Sequence, residues 1–178
     1  MMRWDRNMVM LGGALLVGTA AAVAGESHGP MKAASPEFTR VKALVGTWQG
    51  TTTTNDQEQP AAAEYRLTSG GSAVVETLFP GTEHEMVSVY HDRNGKLSMT
   101  HYCMLGNQPQ LDLVNAAPDR LEFSLAKASD INEATEQHMH ALTVSLPDAN
   151  HMTQSWTCFE DGKPNHTTVI TLSRVAKP

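Results

Sequence analysis

The spacing of apolar residues changes at Gly46. Before this glycine, apolar residues recur every three or four positions, as on one face of an amphipathic helix: Phe38, Val41, Leu44 and Val45. The run Ser35-Pro36-Glu37 places an N-cap residue before a proline at the first helical position. The pattern predicts a short helix that stops at Gly46.

From Trp48 onward apolar and polar residues alternate, which is typical of strands. Turn-forming residues separate the alternating segments, which predicts an all-β fold: an antiparallel barrel of about ten short strands with a short N-terminal helix. Residues 127–137 are too long and polar for a tight hairpin and predict a loop over one barrel mouth. The predicted strands are 47–54, 62–68, 72–79, 85–92, 96–105, 109–115, 120–126, 138–146, 150–159 and 166–175.

The hairpin at Asn94-Gly95 has two possible registers. A two-residue loop pairs Val89 with Thr100 and sets apolar against polar residues. A three-residue loop that begins at Arg93 pairs Val89 with Met99 instead. We expect the three-residue loop because it matches apolar residues across the two strands.

Three histidines are predicted to face the barrel interior. His138 and His140 alternate in phase with Leu142, and His101 alternates in phase with Met99. The expected hairpin register adds Glu85 to the same face. Three imidazoles and a carboxylate suit a Zn²⁺ or Fe site. We expect instead a polar patch that orients an organic ligand; the alternatives are the metal site, or histidines that hydrogen-bond to loop backbone and core groups.

Two cysteines, Cys103 and Cys158, also fall in the inward phase. A disulfide between them is possible in an oxidising compartment. The alternatives are two buried thiols, or a thiol nucleophile at Cys103 with His101 as its base.

Weaker candidates for ligand contacts lie near one predicted turn. Tyr102 precedes it, and Asn107 and Gln108 lie within it. The amides of the turn could recognise a ligand at the barrel mouth, although turns also favour asparagine and proline for backbone reasons alone.

Residues 1–24 have the features of a secretory signal peptide. Arg3 and Arg6 precede an uncharged apolar stretch from residue 8 to 22, and Ala22-Val23-Ala24 provides small residues for cleavage. The alternative, a membrane anchor, requires a longer apolar run than this one. We therefore expect an exported protein, periplasmic or extracellular, with a linker over 25–36, a barrel domain over 37–178 and no stable membrane insertion after cleavage.

Charge excludes some partners of the predicted mature chain. Without residues 1–24, it retains 11 basic and 18 acidic residues. This acidic balance disfavours nucleic acids and anionic membrane surfaces. A small molecule in the barrel interior is the expected partner.

Gly46-Thr47-Trp48, after a short helix and at the start of the first strand, resembles the Gly-x-Trp signature of lipocalins and related calycin barrels. Together with residues 101–109 and Leu172-Ser173-Arg174, it makes residues 37–175 similar to a bacterial family of exported lipocalin-like proteins of unassigned function. The resemblance implies a barrel around a small-molecule cavity. It also implies that Trp48 packs at the closed end with Arg174 over it, and it implies no known reaction.

The predicted topology also resembles nitrobindin-like haem barrels, in which a histidine of the last strand binds iron. His166 lies near that position, but Thr167 occupies the matching place. This departure disfavours haem, and no cofactor is predicted, with a metal ion or haem as the alternative. The sequence favours a barrel that binds a small, partly apolar ligand; the alternatives are a metal- or haem-dependent enzyme, and a barrel filled by its own side chains that acts through its surface.

Overall fold

The computed structural model describes residues 33–176. The predicted signal peptide, residues 1–24, and residues 25–32 of the predicted linker lie outside the described residues. Among the residues that are described, no helix is long and apolar enough to cross a membrane.

The described chain forms the helix and the ten strands that the periodicity predicts, and also one short 3-10 turn. Each strand pairs antiparallel with its neighbours in sequence, and the last strand pairs with the first, which closes the barrel. The helix α1 spans Pro36–Lys42 and the 3-10 turn Ser69–Gly71. The strands are β1 Gly46–Thr54, β2 Gln57–Thr68, β3 Ala73–Leu78, β4 Met86–Arg93, β5 Lys96–Tyr102, β6 Gln110–Ala117, β7 Arg120–Leu125, β8 His138–Ser145, β9 His151–Glu160 and β10 Lys163–Arg174.

Polar contacts at both of its ends hold helix α1 against one end of the barrel. The Ser35 hydroxyl accepts a hydrogen bond from the Phe38 amide at 3.0 Å, which is the predicted N-cap. The same hydroxyl donates to Asp92 of β4 at 2.7 Å. Arg40 donates to the Ala117 carbonyl at 2.7 Å. The helix therefore lies at the barrel end that carries the β4–β5 and β6–β7 turns.

Trp48 and Arg174 meet at this closed end, as the lipocalin resemblance implies. Trp48 is fully buried and its Nε1 donates to the Leu44 carbonyl at 2.8 Å. The Arg174 guanidinium lies 4.3 Å from the centroid of the indole ring. Its two terminal nitrogens donate to the carbonyls of Ala43 and Val45 at 2.7 and 2.9 Å. Arg174 thus ties the end of β10 to the chain between α1 and β1.

The expected register of the β4–β5 hairpin is wrong. The loop has two residues, Asn94-Gly95, both at positive φ (55° and 80°), and Val89 pairs with Thr100. Two successive positive φ angles are what a two-residue hairpin turn requires. The buried residues of β4 are Ser88 and Tyr90 rather than Val89, so the inward face of this strand is partly polar.

A β-bulge in strand β8 changes which side chains face the interior at the start of the strand. Met139 pairs with Cys158 and Ala141 pairs with Thr157, so His140 is an extra residue between them. Cys158 of β9 is buried inside the barrel, so its partner Met139 also faces the interior. Alternation alone had predicted this orientation for His138 and His140.

Candidate functional site

Hydrogen-bonded polar side chains form a cluster inside the barrel around Glu76 of β3, which is fully buried. The Tyr65 hydroxyl donates to Glu76 Oε1 at 2.5 Å, and the Tyr90 hydroxyl donates to Oε2 at 3.0 Å. The Gln154 amide also donates to Oε1, and it donates to the Tyr65 hydroxyl oxygen at 2.6 Å. Donors from β2, β4 and β9 therefore converge on one carboxyl group.

The Glu76 carboxyl group has no cationic side chain paired with it among residues 33–176. Burial raises the pKa of Glu76, and the hydrogen bonds from Tyr65, Gln154 and Tyr90 act in the opposite direction. Burial, and the negative charge of Glu76 beside them, raise the pKa of Tyr65 and of Tyr90 well above 10.0. Both tyrosines therefore keep their protons and remain hydrogen-bond donors.

Ser88 connects this cluster to His101. It is the register partner of Glu76 on one side and of His101 on the other, and its hydroxyl lies 3.0 Å from His101 Nδ1. Burial lowers the pKa of His101 to about 4, so the imidazole is neutral at pH 7. The His101 ring packs against Trp156 with centroids 4.6 Å apart, and Trp156 Nε1 donates to Gln154 Oε1 at 2.9 Å.

A cavity of about 80 Å³ lies beside His101 and Trp156, at the opposite end of the barrel from α1. Its position follows from Leu78 and Met86, which border it and flank the β3–β4 connection. The other side chains that line it are apolar except for Thr168: Phe79, Met139 and Ile170. The cavity is therefore an apolar space with one imidazole in its wall.

His138 and His140 lie away from this cavity. His138 Nε2 is 3.1 Å from His140 Nδ1, and His138 Nδ1 is 2.7 Å from the Glu136 carbonyl oxygen. The His140 ring stacks on Phe159 of β9 with centroids 3.8 Å apart. The prediction that both share the interior face with His101 is wrong because the bulge at His140 shifts the phase of β8.

The three histidines consequently do not converge on one point. Within the described part of the chain, no group of three or more histidine, cysteine or acidic side chains is arranged to hold a metal ion. The alternative of a metal site on all three histidines is therefore not supported by their arrangement.

Glu85 lies outside the barrel interior, contrary to the prediction. It is exposed, and its carboxylate accepts a hydrogen bond from the Gly81 amide at 2.6 Å. Strand β4 begins only at Met86, and the two-residue hairpin moves the partners of this strand by one position. Glu85 stabilises the β3–β4 connection instead.

Tyr102, Asn107 and Gln108 line one open groove of about 630 Å³ on the outer face of the barrel. The Asn107 amide donates to Glu136 Oε1 at 2.9 Å and to the Gln137 carbonyl at 2.8 Å. Asn107 thus attaches the β5–β6 turn to the long loop between β7 and β8. The structure brings these three predicted residues together, but not with His101.

Cys103 and Cys158 are both free thiols in this structure. Burial raises the pKa of each thiol. A nucleophilic cysteine needs the opposite shift, so the surroundings of Cys103 do not activate it.

The two residues that were compared with the haem ligand, His166 and Thr167, lie in the first half of β10. Thr167 is exposed, and His166 pairs with Cys158 across the β9–β10 ladder. Thr168, the next residue, lines the cavity. The position matched to the haem ligand therefore does not face the cavity.

Sequence reasoning missed the cluster around Glu76, although part of the signal was present. Glu76 alternates in phase with Val74 and Leu78, and Gln154 alternates in phase with Trp156. A charged or amide side chain in an otherwise apolar phase predicts a buried polar group that needs partners. The partners on β4 were not found because the expected hairpin register turned them outward.

Neither a scan against known protein-family models nor a search of curated proteins gave a match to this sequence. Among solved structures, the chain is similar to a protein of unknown function from the DUF3598 family of Nostoc punctiforme, with a TM-score of 0.51 and 15% sequence identity. The match covers 76% of this chain and 49% of that one, so this chain spans about half the length of the relative. At this identity the likeness concerns the fold alone. It agrees with a lipocalin-like barrel at the level of the fold.

Proposed function

We propose that this protein is an exported barrel that binds a small, mostly apolar molecule in the cavity beside His101. The observation that supports the proposal is the cavity itself, an apolar space with one neutral imidazole in its wall. Ligand sites commonly combine an apolar lining with a few placed polar groups.

The size of the cavity limits the ligand. At about 80 Å³ it is smaller than an engineered cavity of ~150 Å³ that holds benzene. Met86 and Met139 border the cavity, and methionine side chains change rotamer readily because they are unbranched. The cavity therefore suits a molecule of a few heavy atoms, or one end of a longer molecule, with the methionines moving to admit it.

Benzene is a suitable first probe because it needs only apolar contacts. We expect it to bind the wild-type protein and to shift the methyl NMR signals of Met86 and Met139. Met139→Trp fills the cavity from its border and is expected to weaken benzene binding by about tenfold or more. The dissociation constants are measured by NMR titration.

Met104→Trp is the matched control because Met104 is exposed and does not line the cavity. We expect this variant to bind benzene as the wild type does. A wild-type protein that does not bind benzene, or a Met139→Trp variant that binds it equally well, would contradict the proposed site.

Export is tested by the N-terminus of the recovered protein. When the whole chain is expressed in a bacterium, we expect the protein outside the cytoplasm to begin at Gly25, because Ala22-Val23-Ala24 provides the small residues that signal peptidase requires. Ala24→Lys should block this cleavage. N-terminal sequencing and mass spectrometry measure the outcome, and a chain that stays in the cytoplasm with residues 1–24 attached would refute export.

A further inference from the structure

We propose that His138 and His140, at the start of β8, form a metal site that takes Zn²⁺, with the Glu133 carboxylate as the third ligand. The site lies where the long loop between β7 and β8 joins the strand. None of these three side chains lines the cavity beside His101, so the proposal does not rest on the proposed function.

His138 presents a lone pair on Nε2. Its Nδ1 lies 2.7 Å from the Glu136 carbonyl oxygen, and a carbonyl oxygen only accepts hydrogen bonds, so Nδ1 carries a proton. In the neutral ring Nε2 then has a lone pair and no proton. Metal-binding histidines commonly have this arrangement, in which the other ring nitrogen donates to a carbonyl or carboxylate and orients the ring. His138 is also fully buried, which restricts rotation of its imidazole.

His140 brings a second ring nitrogen to the same place. Its Nδ1 lies 3.1 Å from His138 Nε2. Two zinc–nitrogen bonds of ~2.05 Å at the tetrahedral angle hold their nitrogens about 3.3 Å apart, so the two imidazoles already have nearly the spacing of two ligands of one ion. In the metal-free protein His140 Nδ1–H donates to His138 Nε2. On metal binding the proton is carried by His140 Nε2, and the Nδ1 lone pair faces the ion.

The backbone and the neighbouring strand keep the two imidazoles in position. His140 is the extra residue of the β8 bulge, and bulges commonly re-aim a side chain next to a functional site. Its ring stacks on Phe159 with an interplanar angle of 12°. The Asn107 amide donates to the Gln137 carbonyl at 2.8 Å, which holds the chain just before His138. Little rearrangement of the imidazoles is therefore needed when the ion binds.

Glu133 places a carboxylate beside the two nitrogens. Its Oε2 lies 3.8 Å from His140 Nδ1, and among residues 33–176 it forms no ion pair with a lysine or an arginine. The side chain is 60% exposed and can move by the roughly 0.5 Å that separates this distance from the spacing of two zinc ligands. Before that movement only the two imidazole nitrogens are in place. Two histidines and one glutamate leave the fourth position of Zn²⁺ to water.

The ligand types select the metal. Imidazole nitrogens suit Zn²⁺ and its transition-metal neighbours, whereas Mg²⁺ prefers oxygen ligands in an octahedral arrangement. The site should therefore take Zn²⁺ and leave Mg²⁺ in solution.

Isothermal titration calorimetry of the protein, produced without a polyhistidine tag, tests the site. We expect the wild type to bind one Zn²⁺ per chain with a micromolar dissociation constant and to show no binding of Mg²⁺. His140→Gln removes a ligand but keeps an amide that can donate to His138 Nε2, and it should weaken Zn²⁺ binding about tenfold or more. Glu133→Gln should weaken it by a smaller factor.

His151→Gln is the matched control. His151 is exposed, and its Nδ1 lies 2.8 Å from Asp148, so it is also an imidazole beside a carboxylate. It follows the other end of β8 and has no second imidazole next to it among the described residues. We expect this variant to bind Zn²⁺ as the wild type does.

NMR of the wild-type imidazoles gives a readout that needs no variant. Addition of Zn²⁺ should shift the ring signals of His138 and His140 and leave those of His101 unchanged. Zn²⁺ that does not bind the wild type at millimolar concentration, or binds His140→Gln as tightly as the wild type, would overturn the proposal. Zn²⁺ binding that is lost equally in His151→Gln, or that shifts other histidines instead, would also overturn it. Benzene binding is measured separately, so neither result decides the other.

Discussion

Gly50→Ala is expected to destabilise the barrel by about 3 kcal/mol, near the upper end of the usual cost of overpacking. A Cβ atom on Gly50 would lie 1.9 Å from the Thr171 carbonyl oxygen and 3.0 Å from its carbonyl carbon. Both are backbone atoms of the neighbouring strand β10, so no side-chain rotation relieves the contact. Strands β1 and β10 would have to separate where their pairing closes the barrel.

Urea denaturation followed by tryptophan fluorescence measures this loss. Gln49→Ala is the control, because Gln49 is exposed and adjacent, and a surface substitution is expected to change the unfolding free energy by less than about 0.5 kcal/mol. If Gly50→Ala were as stable as Gln49→Ala, the close approach of the two strands would be wrong.

Glu76→Leu is expected to destabilise the protein by about 3 kcal/mol, because it leaves buried donors without an acceptor. Tyr65, Tyr90 and Gln154 all lose a partner. The loss is smaller than the sum of three broken bonds for two reasons. The Gln154 amide still donates to the Tyr65 hydroxyl. The variant also no longer buries a carboxyl group that lacks a cationic partner.

A double-mutant cycle with Tyr90→Phe tests whether the cluster acts as a unit. In the wild-type background Tyr90→Phe removes a donor from Glu76 and should cost about 1 kcal/mol. In the Glu76→Leu background the same change removes an unsatisfied hydroxyl and should be neutral or stabilising. Equal effects of Tyr90→Phe in both backgrounds, measured by urea denaturation, would show that the two side chains are not coupled.

The fold could be predicted because its signals are local. The cap at Ser35, the change of period after Gly46 and the turn residues between segments each act over a few positions. They gave the helix and all ten strands, with errors mainly at the strand ends. The stacking of Arg174 on Trp48 followed from a family resemblance rather than from these local signals.

The candidate site could be predicted only in part. Alternation shows which side chains face the barrel interior only where no bulge interrupts the strand. His101 was placed correctly towards the interior, since β5 has no bulge between it and Met99. The prediction failed for His138 and His140 because one extra residue near the start of β8 shifts the phase there, and nothing in the local pattern marks that residue.

The hairpin error has a different physical cause. Matching apolar residues across β4 and β5 assumes an apolar interior, whereas the interior of this barrel holds a carboxyl group and its donors. Tyr90 faces inward and donates a hydrogen bond to Glu76, and Ser88 faces inward beside His101. The hydrogen-bond partners of Glu76 lie on strands that are distant in sequence, so they cannot be predicted from β4 and β5 alone.

The central claim is that the cavity beside His101 takes up a small molecule. Intermolecular nuclear Overhauser effects between benzene and the protein locate the bound molecule directly. The account predicts contacts from benzene to the methyl groups of Met139 and Ile170, which line the cavity. Contacts confined to Tyr102 and the outer groove, or no contacts at all at saturating benzene, would contradict it.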